Sequence, residues 1–361
     1  MNILHTEASN NWGGQEIRIL KESMGLRSRG HTIIFVIQKG GVLAQKAREA
    51  GFIVYELNFK KINAFFVISK LLWIFSRHNI AVVNTHSSID AWLGGIAARL
   101  KKIRVVRTRH LSTPIRAGLN SRLLYKALAD YVVTTSSSII PLLKSQAKID
   151  SHRTSCVPTG VDPFEVETLE VSAFRKELGL KEGDILVGTA CVVRSWKGIQ
   201  DLMKAAHLLR HHTHLKWVVV GGGYIDQYKD LIDLKNILVF TGHLENPYVA
   251  MAAMDIFLLL STANEGISQA TLQAAYLRKP LVTTSIGGLP EVCLDEETGL
   301  IVPPHSPHKV AEAVLRLSQD PLLREQMGEK GRALVEEKFL MKKTLDEMER
   351  IFCKFPSVSV Y

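Results

Sequence analysis

Two short runs in this 361-residue sequence carry side chains suited to holding an anionic ligand. In Ser261-Thr262-Ala263-Asn264-Glu265-Gly266-Ile267-Ser268, the Glu265 carboxylate is an acceptor for hydroxyl hydrogen bonds, and Gln273 follows eight residues later. In Arg194-Ser195-Trp196-Lys197-Gly198, two cations stand close together. Arg offers a planar fork and Lys a point charge, a combination that clamps a diphosphate. A solvated loop is the alternative reading of each run.

The surrounding elements give these runs a place. Ile256 to Leu260 is a continuous apolar run of strand length, ended by the polar residues from Ser261. A helix is predicted from Ile267, because Ile267, Ala270, Leu272, Ala274, Ala275 and Leu277 form one apolar face, and Arg278-Lys279-Pro280 stops it. Leu281 to Thr284 reads as a second buried strand, and Gly287-Gly288 as a turn into a helix opened by Pro290 and Glu291. Glu265 then stands at the carboxyl end of a strand, where open parallel sheets bind ligands, just before a helix start that attracts phosphate. Along a helix, eight residues span about 12 Å. That is comparable with the distance from the sugar to the ribose in a nucleotide diphosphate sugar.

Similar strand ends recur along the chain. Gly13-Gly14 lies between the strand Asn2 to His5 and a helix from Gln15 to Arg29, where glycines let a backbone approach a phosphate or form a tight turn. His86 and Asp90, four residues apart at the start of a helix, share one face. Arg107, Arg109 and His110 close the strand Arg104 to Thr108 as a candidate phosphate or acceptor site, with a structural hydrogen-bonding histidine as the alternative. Gly221-Gly222-Gly223 ends the strand Trp217 to Val220, and Thr241-Gly242-His243 ends Ile237 to Phe240. Strands and helices alternate throughout, which predicts an α/β protein of two doubly wound parallel sheets with facing carboxyl edges. The boundary is placed at Pro158-Thr159-Gly160, giving domains 1–160 and 161–340 and a final helix from about Met341 to Phe355.

Composition narrows the class. A hydrophobic content of 46% with 22% charge describes a folded chain with ample core. Residues 1–160 hold 23 Lys and Arg against 8 Asp and Glu, so the excess positive charge belongs to the N-terminal half and draws it to phosphate-rich partners such as an anionic membrane or a phosphorylated glycolipid. Nucleic acid is the remaining candidate, suggested by charge alone. Lys60 to Arg77 is rich in Phe and Trp and flanked by cations; it is too short in its apolar runs to span a bilayer. It reads either as an interfacial helix or as a crossover helix packed on the sheet. The four cysteines show no CxxC spacing, and His211, His212 and His214 lack acidic or cysteine partners, so neither disulfides nor a metal site is expected. The N-terminus has no basic segment followed by a long apolar run, so a cytoplasmic protein is expected. GxSxG, HExxH and GxxxxGK[ST] are absent, which argues against hydrolase, zinc protease and P-loop classes.

The run from Ser261 to Glu291, with Glu265-Gly266, a helix and KPLVTTSIGGLPE, resembles the donor-site signature of glycosyltransferase family 4, the retaining GT-B enzymes. The resemblance extends to Arg194, Lys197-Gly198, Gly221-Gly222, Thr241-Gly242-His243 and Glu297 to Pro304. The phrases ILHTEASNNWGGQE, VNTHSSIDAWL and VRTRHLSTP resemble the branch that builds lipopolysaccharide cores. The resemblance implies a GT-B fold, two Rossmann-like domains about a cleft. It implies metal-independent sugar transfer, without a cofactor, from a nucleotide sugar to a lipid-linked or phosphorylated glycan, at the inner face of the cytoplasmic membrane and with no nucleic acid as partner. By motif position Glu265 would hold the donor sugar. The Ile267 and Ser268 N–H groups beside Gly266, with Arg194 and Lys197, would stabilise the diphosphate. Gly13-Gly14 would approach the phosphates, and Gly221, Gly222 and His243 the nucleotide. His110 and Asp90 would face the sugar and acceptor. Gln273 departs from the family pattern, which has Glu there to hold the ribose. A catalytically silent nucleotide-sugar or glycan-binding protein is therefore the second hypothesis.

Overall fold

The computed structural model describes all residues except 111, 112, 114, 230–233, 235, 236 and 355–361. The chain divides into two compact units: residues 1–159 with the C-terminal helix Met341–Lys354, and residues 160–340.

The first unit is built on seven parallel strands, β1 (Asn2–Glu7), β2 (Thr32–Gln38), β3 (Ile53–Leu57), β4 (Val82–Thr85), β5 (Arg104–Arg109), β6 (Tyr131–Thr134) and β7 (Thr154–Cys156), in the order β3-β2-β1-β4-β5-β6-β7. Most are apolar runs, as strands covered on both faces must be. Alternation sends Leu4, Ile34, Val36, Val83 and Val105 to one face, against the helices Ala64–Arg77 and Ser88–Leu100. Ile3, Phe35, Ile37, Val106 and Val133 go to the other.

The C-terminal helix covers that second face with Met341, Leu345, Met348, Ile351 and Phe352. Arg29 holds it through Asp346 (2.7 Å) and Glu349 (2.9 Å), and Thr344 donates to the Pro158 carbonyl at 3.0 Å. The helix Ala64–Arg77 buries Val67, Leu71, Ile74 and Phe75, a helical stripe facing the sheet, so the crossover reading of this segment is correct. Its other side leaves Phe65 and Phe66 exposed.

The second unit has six parallel strands, β8 (Ile185–Ala190), β9 (Leu215–Val220), β10 (Leu238–Gly242), β11 (Ile256–Leu259), β12 (Leu281–Thr284) and β13 (Gly299–Val302), ordered β10-β9-β8-β11-β12-β13. Trp217, Ile256, Leu258 and Val282 pack on one side with the helices Ile199–Leu208 and Pro307–Gln319; Val218, Phe257, Leu259 and Leu281 pack on the other with Tyr248–Ala253 and Gln269–Tyr276. In each sheet the strand order reverses once, between β1 and β4 and between β8 and β11. At such a reversal the following loops diverge and leave a crevice at the carboxyl edge.

Local expectations needed two corrections. The helix predicted from Ile267 begins at Gln269, because Ser268 is an extended N-cap (φ −75°, ψ 130°). Pro290 opens only the 3-10 turn Leu289–Glu291. Between β6 and β7 a single α turn, Ile139–Leu142, widens into a π turn over Leu143–Ala147.

Candidate functional site

In the second unit, the loops leaving β8 and β11 meet at the strand reversal. The Thr262 N–H donates to the Trp196 carbonyl at 2.8 Å, and Gly198 adopts φ +69° with its backbone against Leu260. A Cβ on Gly198 would stand 2.0 Å from the Leu260 carbonyl oxygen, so no other residue fits there without displacing one loop. This contact carries Lys197 onto Glu265, with Lys197 Nζ donating to Glu265 Oε1. The same oxygen accepts the Ser261 hydroxyl at 2.7 Å, and the Ser261 carbonyl in turn accepts Thr284 Oγ1 at 2.5 Å. Glu265 is 5% exposed, so its charge is compensated almost entirely by these partners. Arg194 lies over the Trp196 ring at 5.5 Å and has no carboxylate within ion-pair distance among the described residues.

The structure revises the geometry around Gln273. Glu265 lies in the loop, three residues before the N-cap, so helical rise cannot be counted from it. The Ile267 and Ser268 N–H groups precede the helix Gln269–Tyr276 and lie outside its ladder, at its positive end. The Gln273 amide nitrogen is 3.4 Å from both Tyr248 Oη and Gln269 Oε1. Gly221, at φ +130°, packs on the loop after β8, where a Cβ would lie 1.9 Å from the Cys191 carbonyl oxygen. Its N–H donates to Gly242, and the Gly222 carbonyl accepts Val193 N–H at 2.8 Å. The protein's own backbone thus accounts for a glycine at 221. His243, exposed, follows β10 directly.

In the first unit, the reversal gathers buried polar groups from the ends of β1, β4 and β5. Asp90 Oδ2 accepts Thr6 Oγ1 at 2.8 Å and the His86 N–H at 3.0 Å, so Asp90 caps the turn that His86 enters. His86 lies between two other histidines: its Nε2 is 2.9 Å from His5 Nδ1 and its Nδ1 is 3.0 Å from His110 Nε2. Glu7, at the end of β1, accepts from the Ser9 N–H at 2.8 Å and from Gln15 and Ser87. Gly13 is extended and Gly14 is exposed; a Cβ on Gly14 would meet no protein atom within 4 Å. Neither glycine is required by packing. Arg107 and Arg109, read above with His110 as a candidate anion site, are both engaged within the unit: Arg107 donates to the Ser87 carbonyl at 2.9 Å, and Arg109 to Tyr125 Oη at 2.6 Å and Thr113.

Sequence reasoning singled out neither His5 nor Glu7. His5 meets His86 81 residues away, and Glu7 meets Ser87 80 residues away besides its local partners Ser9 and Gln15. Only their position at the end of the first strand, beside the strand reversal, was a usable signal.

Burial shifts the protonation of this cluster in opposite directions. Removal from water pushes Glu7 up to about 8, with the Asp90 charge adding to the effect. Burial holds His5 at about 3 and keeps His86 and His110 well below the usual histidine value, aided by nearby cationic groups. Between 4.5 and about 8 the folded chain therefore retains a Glu7 proton that the unfolded chain has lost, and stability falls as pH rises through that window. The histidines act below 6.5, where the unfolded chain takes up protons that the folded one refuses, so stability falls as pH falls. Urea unfolding should show the wild type losing stability from pH 6.5 to 8, by up to about 1.4 kcal/mol per unit. Glu7→Gln should be flat over that interval, and parallel curves would contradict the assignment.

Comparison with known proteins agrees with the fold of both units. Residues 12–164 match Glycosyltransferase Family 4 and residues 170–334 match Glycosyl transferases group 1. N-acetyl-alpha-D-glucosaminyl L-malate synthase of Bacillus anthracis is 25% identical over 307 residues, 79% of this chain and 77% of that protein. Capsular polysaccharide biosynthesis glycosyltransferase CapM of Staphylococcus aureus is 24% identical over 304 residues, 79% of this chain and 80% of that protein. The crystal structure of Anabaena HepE in complex with UDP matches with a TM-score of 0.87 at 19% identity, over 97% of this chain and 99% of that one, a likeness of fold. With two Rossmann-like sheets and both family segments in sequence, the chain belongs to the GT-B glycosyltransferases of family 4.

Proposed function

We propose that this glycosyltransferase moves a sugar from a nucleotide diphosphate sugar to a lipid-linked saccharide acceptor, with retention of anomeric configuration and without a metal ion, in lipopolysaccharide core or related cell-envelope glycan synthesis. The observation that carries this reading is the Lys197–Glu265 pair at the strand reversal, directly before a helix N-terminus. HepE is held with UDP and CapM acts in capsular polysaccharide biosynthesis, which supports the donor class and the cell-envelope setting. The phrases around Gly13-Gly14, Asp90 and His110 support the lipopolysaccharide branch.

In this reading Glu265 accepts hydrogen bonds from the donor sugar hydroxyls. Lys197, Arg194 and the Ile267 and Ser268 N–H groups receive the charge that builds on the diphosphate as the C1–O bond breaks. Gly13-Gly14 offers phosphate a backbone surface that is open at Gly14, while the Gly13 N–H is taken by Glu16 Oε2 at 3.0 Å, and Gly222 and His243 border the nucleotide. His110 and Asp90 stand on the sugar and acceptor side. The acceptor oxygen bonds to C1 on the face the diphosphate leaves, and its proton passes to a diphosphate oxygen, so no strong protein base is needed. Gln273 meets the ribose with one acceptor oxygen where a carboxylate offers two. Gln273→Glu should accordingly tighten nucleotide binding in calorimetry; unchanged affinity would remove Gln273 from the ribose site.

Attachment at the inner face of the cytoplasmic membrane is part of the same proposal. Ile62 and Phe65 are 91% and 87% exposed beside the exposed Lys60 and Lys61, an aromatic and cationic edge suited to an anionic bilayer surface. No helix among the described residues is long and apolar enough to cross a membrane. An assay on anionic vesicles carrying a lipid-linked saccharide tests both parts. Wild type should sediment with the vesicles and release nucleoside diphosphate only when acceptor is present. Glu265→Ala should sediment but transfer about 100-fold more slowly, in the range found for lost transition-state contacts. Phe65→Asp should fail to sediment. Wild-type transfer by Glu265→Ala, or unaltered sedimentation of Phe65→Asp, would overturn the corresponding half.

A further inference from the structure

Three buried histidines of the first unit, His5, His86 and His110, form a continuous hydrogen-bonded file that the transfer chemistry above does not use. His5 and His86 lie nearly parallel, with ring centroids 5.2 Å apart and an interplanar angle of 8°, and the His86 and His110 centroids are also 5.2 Å apart. His86 uses both ring nitrogens within the file, Nε2 to His5 and Nδ1 to His110. A neutral imidazole carries one N–H and one lone pair, so a ring that bonds at both nitrogens must donate at one and accept at the other. The proton order at one end of the file therefore dictates the order at the other.

We propose that His86, keyed by His5, is a positioning residue that holds the His110 imidazole in the tautomer protonated at Nδ1. Two orders are open to the file, with every ring protonated at Nδ1 or every ring protonated at Nε2. His5 decides between them. It is fully buried, its ring lies against Phe35 and Phe352, and its Nε2 has no partner among the described residues. Protonation at Nε2 would seal an orphan N–H among apolar rings, whereas protonation at Nδ1 leaves a bare lone pair there, the less costly omission in folded proteins. His5 then donates from Nδ1 to His86, and His86 donates from Nδ1 to His110 Nε2. His110 is left with Nδ1–H, a fixed donor.

Burial supports this order by keeping all three rings neutral. With the file in this order, a second proton at Nε2 of His86 or of His110 would set two N–H groups against each other. Asp90 anchors the file by accepting the His86 backbone N–H, and Thr6, the residue after His5, donates to the same carboxylate oxygen. The consequence for chemistry rests on the proposal that His110 faces the substrate: it would meet a sugar oxygen as a donor only, with its proton already placed.

The test uses the full chain labelled with 15N-histidine. Long-range proton–nitrogen correlation spectra at about pH 7.5, where an unperturbed histidine is neutral, report the tautomer of each ring. Signals are assigned from His5→Phe, His86→Phe and His110→Phe. All three rings should be protonated at Nδ1 in wild type. His86→Phe should release His110 to a mixture of tautomers, and His5→Phe should do the same to His86 and His110 with the rest of the file intact. A wild-type His110 protonated at Nε2 overturns the proposal even if neither variant folds. An unchanged His110 tautomer in folded His86→Phe or His5→Phe does so as well. Sugar transfer by His110→Phe at the wild-type rate would remove His110 from the substrate side while leaving the proton order standing, so the two ideas fail separately.

Discussion

The Lys197–Glu265 ion pair is the constraint on which the second unit's site depends. Neither residue has the other nearby in sequence; they are 68 positions apart, and an α–β–α–β–α–β excursion lies between. They meet because β8 and β11 are adjacent at the strand reversal and because Gly198 lets the two loops touch. Once Glu265 is buried, its charge needs a partner, and Lys197 with Ser261 supplies it. The pair is therefore structural in the free protein. On the proposed donor site it also sets a condition on ligand binding: a diphosphate approaching Lys197 would compete with Glu265 for the same ammonium, which has three hydrogens to share.

The two units solve the same problem with different chemistry. Each places its polar groups at the point where a parallel sheet reverses, because that is where loops diverge and backbone groups stay free. The second unit combines a carboxylate, a cation and a helix start. The first gathers Glu7, Asp90 and three histidines at the ends of β1, β4 and β5, and Gly14 in the loop after β1 leaves space open. Burial keeps much of that cluster uncharged, so its hydrogen bonds have a defined direction while few charges have to be desolvated. The helix Met341–Lys354 closes the same unit from the far end of the sequence, and Phe352 packs beside His5.

Much of this was legible in the sequence. Alternating apolar runs predict parallel sheets directly, and the order of strand, polar loop and helix places Glu265 and Lys197 at strand ends before any coordinates. The contacts across the sheet were not legible. Which strand ends lie side by side is decided by strand order, and His5, His86 and His110 are linked only because β1, β4 and β5 are neighbours. Arg107 and Arg109 show the converse: at a strand end they suggest an anion site, yet Ser87, Tyr125 and Thr113 engage them. Gln273 shows how a distance estimate based on helical rise fails when the residue it is counted from, Glu265, lies in a loop three residues before the N-cap.

The central claim, that Lys197 is shared between Glu265 and the donor diphosphate, is tested most directly by calorimetric titration of UDP, GDP and ADP into wild type, Lys197→Met and Glu265→Gln. The account predicts that the diphosphate that binds wild type loses about tenfold or more in affinity for Lys197→Met, the worth of a charge-assisted hydrogen bond. It predicts equal or tighter binding to Glu265→Gln, where the ammonium is released from its partner. Equal affinity for wild type and a folded Lys197→Met would contradict it.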